Sequence, residues 1–141
     1  MKYCTFFGHR DSPPALEAKL EAVLRNLIEH QDVQHFYVGE QGRYDEMVWR
    51  TLLCLQKEYA QIAIEIVLAY FPKEKKGTNT LLPDGIENVP PRFALDWRNR
   101  WMVNRADYVV CYVCRGFGGA AKYMELAMRK GKRVINLWEK E

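Results

Sequence analysis

IAIEIVLAY, residues 62–70, carries a single charge, Glu65, in an otherwise apolar run. That is the pattern of a strand covered on both faces. On its N-terminal side a helix is predicted from about Tyr44 to Tyr59, with Met47, Val48, Thr51, Leu52 and Leu55 on one face. Before that, His35 to Val38 reads as a strand closed by Gly39. Asp11-Ser12-Pro13-Pro14 reads as a helix start, with a capping candidate ahead of proline. Leu16, Leu20, Val23, Leu24, Leu27 and Ile28 then recur at helical spacing. Tyr3 to Phe7 is a short β-prone run ending at Gly8. On the C-terminal side, residues 71–91 hold four of the six prolines and no clear period. A connection of that length is either a functional loop or a surface excursion. Helix returns near Phe93–Asn104, strand at Tyr108–Val113, helix from Gly118-Gly119 to a glycine cap at Lys130-Gly131, and strand at Arg133–Trp138. The order β-α-β-α-β-loop-α-β-α-β predicts an α/β fold. Its sheet is mainly parallel, of about five strands, between helices on both faces: one three-layer domain over residues 1–141.

The composition agrees. Hydrophobic residues are 48% and charged residues 28% of the chain, which excludes a disordered tail protein. The 141 residues suffice to bury about two-thirds of the unfolded surface without a disulfide or metal staple. The N-terminus turns polar after seven residues, so neither a signal peptide nor an anchor is expected. No apolar run approaches the roughly 20 residues of a membrane helix. Four scattered cysteines read as reduced thiols, and a cytoplasmic location is expected. The net charge of +3 is too small for a general nucleic-acid binder. It is uneven, however. Residues 1–70 hold 7 basic and 10 acidic residues, and residues 71–141 hold 14 and 8, giving −3 and +6. An anion is therefore sought in the second half.

Ligands of open parallel sheets bind beyond the carboxyl ends of the strands. Three polar or glycine-rich segments fall there. They are Gly8-His9-Arg10-Asp11, then Gly39-Glu40-Gln41-Gly42-Arg43-Tyr44-Asp45, then Arg115-Gly116-Phe117-Gly118-Gly119-Ala120-Ala121. Each lies between a strand and a helix, where glycine admits a ligand to the backbone and helix-start N–H groups can hold a phosphate. None matches a dinucleotide fingerprint or a P-loop, so no cofactor is expected. Arg98, Arg100 and Arg105 precede the Tyr108 strand with only Asp96 and Asp107 nearby in sequence. Arginine suits bidentate recognition of phosphate or carboxylate. Arg98 and Asn99 are favoured for function because they sit just after the long loop; Arg100 and Arg105 read as surface arginines.

The run R-N-R-W-M-V-N-R-A-D (98–107), the apolar strand after it, and a glycine pair with an acidic residue six positions on resemble the SLOG superfamily. That group includes the Lonely Guy phosphoribohydrolases and the DNA-processing protein DprA. F-F-G-H-R (6–10), G-E-Q-G-R-Y-D (39–45) and R-N-R-W-M (98–102) are most similar to its YpsA-type branch. The resemblance runs from Cys4 to Leu137. It implies a Rossmann-like fold and a nucleotide or nucleotide-derived ligand. Lonely Guy enzymes carry R-K-x-x-M-x-x-x-A-D. Arg98, Met102, Ala106 and Asp107 stand at those positions, with Asn99 in place of the lysine. In their P-G-G-x-G-T-x-x-E motif, Gly118, Gly119 and Glu125 match. Phe117, Ala121 and Lys122 replace the proline, the third glycine and the threonine. The resemblance thus implies Arg98 and Glu125 as the catalytic pair for N-glycosidic cleavage of a nucleoside monophosphate. A carboxylate can stabilise the oxocarbenium-like charge that such cleavage develops. Glu125 also fits a surface pair with Arg129.

The implied pocket is Gly8, His9, Arg10, Gly39, Gly42, Asp45, Arg98, Asn99, Gly118, Gly119 and Glu125. His9 is either a polar loop residue or a ligand contact; His30 and His35 read as structural. Cys111 and Cys114, three apart on a strand, point to opposite faces, so neither a redox pair nor a metal site is expected. Trp97, Trp101 and Tyr70 lie near the presumed mouth, where core packing and base stacking both fit. Three functions remain open: a nucleotide-binding phosphoribohydrolase-like enzyme, a non-catalytic nucleotide sensor acting through a protein partner, and a DprA-like binder of single-stranded DNA. A homo-oligomer is compatible with any of them.

Overall fold

A computed structural model describes residues 1–70 and 79–139. The elements are β1 (Lys2–Gly8), α1 (Leu16–His30), β2 (Val33–Val38), α2 (Gly42–Glu58), β3 (Ala63–Val67), β4 (Thr80–Leu81), α3 (Pro91–Arg105), β5 (Tyr108–Tyr112), α4 (Gly119–Arg129) and β6 (Arg133–Asn136). A single 3-10 turn, Ile86–Asn88, precedes α3. The strands form one six-stranded sheet in the order β4-β3-β2-β1-β5-β6, and every pairing is parallel. The fold is α/β and consistent with a Rossmann-like three-layer arrangement.

Alternation along the central strands builds the layers. Cys4 and Phe6 of β1, with Tyr108 and Val110 of β5, join a core with Leu20, Leu24 and Leu27 of α1 and Val48, Leu52 and Leu55 of α2. The intervening Phe7, Val109 and Cys111 pack on the other face with Met102 and Val103 of α3 and Tyr123, Leu126 and Ala127 of α4. Both faces of β1 and β5 are thus covered, as the continuous apolar runs require. Each fully buried leucine or phenylalanine contributes about 1.5–3 kcal/mol over exposure. His35, read as structural, stacks on Tyr3 at 4.7 Å and hydrogen-bonds Glu65.

Three details differ from expectation. β3 ends at Val67, although the apolar run continues to Tyr70. The Leu68 N–H still reaches across to the Leu81 carbonyl at 2.8 Å, but Tyr70 is half exposed. The supposedly aperiodic segment 71–91 contributes the sixth strand, whose Thr80 pairs with Ile66. Its residues 71–78 lie outside the described ones. Finally, α1 begins at Leu16 with no side-chain cap. Ser12 is engaged elsewhere: its N–H and hydroxyl both donate to the His9 carbonyl, at 3.2 and 2.6 Å, and fold the loop after β1. The C-terminus of α4 is as expected. Gly131, at φ +74°, donates its N–H to Met128, and Lys132 donates to Ala127, closing a Schellman motif.

Candidate functional site

In chain order, β2, β3 and β4 add to one side of β1, and β5 and β6 add to the other. The strand order reverses between β1 and β5, and ligands of open α/β sheets bind at that point. A cleft of about 400 Å3 opens there. Its walls come from all three loops singled out in the sequence, together with α3. Of the expected site residues, Gly8, His9, Arg10, Gly39, Asp45, Arg98, Asn99, Gly118 and Gly119 line it.

Two do not. Gly42 stands behind the wall and serves the backbone. At φ +83° it turns the chain into α2, and a Cβ there would stand 2.8 Å from Arg10 Cγ. Glu125, the expected catalytic carboxylate, is exposed on α4 and outside the cleft lining. Six positions beyond Gly119 at 100° per residue, it has rotated about 240° around the helix. Tyr123, four positions on, returns to the cleft side, lines it, and stacks on Phe7 at 5.1 Å.

The floor of the cleft is a buried carboxyl and a buried guanidinium on either side of Gly39. Asp45 and Arg98 are 9% and 2% exposed. The Gln41 N–H donates to Asp45 Oδ2 at 2.7 Å, a reach back from the first turn of α2. Arg98 Nη1 donates to the Val67 carbonyl at 2.7 Å, and its Nε donates to Asn99 Oδ1 at 2.8 Å. These bonds lock the guanidinium against the end of β3. Burial pushes the Asp45 carboxyl up to about 6, against the Gln41 N–H and Arg98, which both favour its charged form. Burial pulls Arg98 below its ordinary value, and Asp45 opposes that. A Cβ on Gly39 would lie 2.9 Å from Asp45 Oδ2 and 3.3 Å from both terminal nitrogens of Arg98. A larger residue at 39 would displace Asp45 or Arg98.

Gly8 is a glycine for a different contact. A Cβ there would lie 2.2 Å from the Tyr44 ring, which is fully buried and donates its hydroxyl to the Val110 carbonyl at 2.8 Å. His9 is buried, and its Nε2 accepts the Cys114 N–H at 3.1 Å. That bond requires an unprotonated Nε2, so the neutral ring carries its proton on Nδ1. Burial, and then Arg115, hold its pKa below the ordinary histidine value. His9 therefore ties the loop after β1 to the loop after β5 and forms part of the cleft wall.

The rim is different. Gly118, at φ +94°, leads into α4, and nothing lies within 4 Å of a Cβ added at Gly116, Gly118 or Gly119. No side chain caps α4, and its first turn holds no acidic residue. Arg115 lines the rim beside it, 3.4 Å from exposed Asp11. Arg10 reaches Gln41 Oε1 at 3.4 Å. The rim thus combines open backbone, a helix start and two guanidinium groups, which favour an anion.

Sequence reasoning missed Asp96. Its carboxylate accepts the Tyr123 hydroxyl at 2.5 Å, Lys122 at 2.9 Å and Arg100 at 2.9 Å. Burial acts to raise its pKa, but those partners win and hold it down at about 2. Asp96 thereby fixes α3 to the start of α4 and accounts for Arg100. Arg105 lies over the Trp101 ring at 4.4 Å, and Trp101 packs edge-on against Tyr37 at 5.2 Å. Both are packing contacts, as is Trp97 beside Gly85. Cys111 is buried with its thiol pushed up to about 12 by burial, and all four cysteines are free thiols. Among the described residues, no group of three or more His, Cys, Asp or Glu side chains is placed to hold a metal ion. No helix there is long and apolar enough to cross a membrane. No protein-family model and no curated protein matches the chain.

Proposed function

We propose that this chain is a cytoplasmic SLOG-like protein that binds a nucleotide or nucleotide-derived molecule at the carboxyl edge of its sheet. One observation carries the reading: the loops after β1, β2 and β5 converge on a single cleft at the switch point, with Arg10, Arg98 and Arg115 in its lining. The anionic group sits at the rim, against the Gly118-Gly119 helix start, with Arg115 and Arg10 alongside. The sugar side faces the floor, between Asp45 and Arg98. Arg98 is thus assigned to the floor and not to the phosphate, because two of its three guanidinium nitrogens are already committed to Val67 and Asn99.

Two activities are compatible with that pose. Binding without turnover, in a sensor that signals through a partner, is favoured by the position of Glu125 outside the cleft. Hydrolysis of an N-glycosidic bond needs a carboxylate at the sugar, and Asp45 is the carboxylate of the floor. Calorimetric titration with nucleoside monophosphates tests binding, and release of free base tests turnover. The sensor reading expects binding and no free base. Free base that persists in Glu125→Gln and disappears in Asp45→Asn supports the enzyme with Asp45 at the sugar. Absence of binding to every nucleotide overturns both.

A further inference from the structure

At the edge of the sheet opposite the cleft, where the strands begin, Lys2, Lys130, Lys132 and Arg133 converge on a groove of about 340 Å3. They come from the start of β1, the α4–β6 turn and the start of β6. None of the four is ion-paired among the described residues. Lys19, Arg25, Arg50, Arg100 and Lys122, by contrast, each meet a carboxylate at 2.6–3.1 Å. The groove holds one acid, Asp107, whose Oδ2 accepts the Tyr3 N–H at 2.9 Å. Structural duties use little of the positive charge. Lys132 donates to the Asn104 carbonyl at the end of α3, and Arg133 Nη1 donates to the Tyr108 hydroxyl, each at 3.1 Å. Lys2 lies over the Tyr108 ring at 5.8 Å, with Arg133 over the same ring at 5.7 Å. Lys130 is exposed, and the backbone N–H groups of the Schellman motif already cap the end of α4 without its side chain. Like charges gathered without a counter-charge repel one another, and an anion in the groove relieves that repulsion.

Two features select the kind of anion. Tyr108 is buried, with Lys2 and Arg133 over its ring, so the groove offers no aromatic face on which a nucleic-acid base could stack. The second feature is the strand that starts there. β6 is an edge strand of the sheet. Arg133 and Leu137 donate their N–H groups inward, to Asp107 and Cys111. The alternation of the ladder therefore turns the N–H and C=O of Val134 and Asn136 outward, where no strand pairs with them. An extended segment can add along that side, held by its backbone. Arg133 begins β6, so a strand added there ends beside the groove. Acidic residues running past that end meet Lys130 and Lys132. A charge on an edge strand also hinders self-pairing, but Lys2 and Lys130 lie off β6 and are not needed for that.

We propose that the groove and the outer side of β6 together dock an extended acidic segment of a partner protein. The backbone of β6 holds the segment, and the four cations select acidic side chains. The site lies at the edge away from the cleft, so the proposal does not depend on what the cleft binds. It gives the sensor reading a surface for its partner.

The test titrates the full chain against a fluorescein-labelled peptide of alternating glutamate and threonine. Fluorescence anisotropy is read at about 50 mM salt, where screening is weak. Three probes accompany it: the same peptide with glutamine for glutamate, the glutamate peptide N-methylated throughout its backbone, and a single-stranded oligonucleotide of similar length. The glutamate peptide should bind at least about tenfold more tightly than either altered peptide. Lys130→Glu should weaken it by about five- to tenfold. Arg92→Glu, the same charge change at the start of α3 on the far edge, should weaken it by less than about twofold. Bound peptide should slow hydrogen exchange at the Val134 and Asn136 amides. Lys130 is exposed and has no hydrogen-bond partner among the described residues, so circular dichroism of its variant should match the parent. Equal binding of the glutamate and glutamine peptides, or equal loss in Lys130→Glu and Arg92→Glu, overturns the groove as the site. An N-methylated peptide that binds as tightly as its parent overturns strand addition. Tighter binding of the oligonucleotide assigns the groove to nucleic-acid phosphates and overturns the acidic segment. Absence of binding by the glutamate peptide overturns the proposal outright.

Discussion

The glycines at the floor of the cleft and those at its rim are glycines for opposite reasons. At Gly8 and Gly39 a Cβ would run into Tyr44 or into Asp45 and Arg98. At Gly116, Gly118 and Gly119 a Cβ would meet nothing within 4 Å. The floor glycines are set by packing inside the protein. The rim glycines face space that the protein itself does not use, and one of them, Gly118, is held by its backbone angle. Conservation of volume explains the first group, whereas access for something outside the chain explains the second. Substitutions can separate the two.

The largest effect is expected for Gly8→Ala. Three atoms of the Tyr44 ring lie 2.2, 2.4 and 2.7 Å from the new methyl, and Tyr44 is fully buried between α2 and the sheet. The ring cannot swing into solvent, so α2 must shift or the Tyr44–Val110 hydrogen bond must break. Overpacking of this kind costs about 3 kcal/mol or more. The melting temperature should fall by roughly 10 °C. A fall of only about a degree would show that the floor is looser than its contacts indicate, and the contrast with the rim would disappear.

Asp45→Asn should act with the opposite sign. The folded-state pKa of about 6 lies above the ordinary aspartate value of 3.8, so the folded protein holds this proton more tightly than the unfolded chain does. The favourable contribution is complete below 3.8 and is lost as the pH rises through 6. Above that, the ionised carboxylate costs the folded state about 3 kcal/mol at the most. Asparagine removes the buried charge and can still accept the Gln41 N–H, though more weakly. The variant should therefore be about 1–3 kcal/mol more stable than the parent at roughly pH 8, with the gain gone near pH 4. Urea unfolding at the two pH values measures it. A variant less stable at both would make Asp45 a structural cap for α2. A stabilised variant that binds nucleotide more weakly would mean that stability is given up at the floor for binding.

The sequence carries this contrast only partly. The alternation of elements around IAIEIVLAY was enough for a parallel sheet covered on both faces, because burial on two sides leaves a mark in each strand. β4 left none. It is two residues long, and only backbone pairing of Thr80 and Leu81 with Ile66 and Val67 creates it. The three loops were legible because glycine and charge cluster at the ends of apolar runs. Which acid in them faces the cleft was not. Glu125 and Asp45 are both acids on helices that follow a cleft loop, and their difference is angular: one, about two turns into α4, has rotated off the cleft side, and the other, in the first turn of α2, reaches back to Gln41. Asp96 was hidden for a related reason. Its three partners lie on two helices, and their approach depends on the α3–α4 packing.

At the rim, neighbouring glycines should respond differently to the same change. Gly118 has φ +94° and ψ 172°, a region that is essentially glycine's alone, so Gly118→Ala should cost about 1–3 kcal/mol without any clash. Gly119 is the first residue of α4, does not have a positive φ, and has open space where its Cβ would be. Alanine there restricts the unfolded chain and suits a helix, so Gly119→Ala should be neutral or stabilise by up to about 1 kcal/mol. Thermal denaturation of the two variants beside the parent gives both signs in one experiment. If Gly119→Ala is stable yet binds inorganic phosphate more weakly, the missing side chain at the rim serves the ligand and not the fold. If it is destabilised like Gly118→Ala, the first turn of α4 is held by contacts of its own, and the rim is built by the same packing logic as the floor.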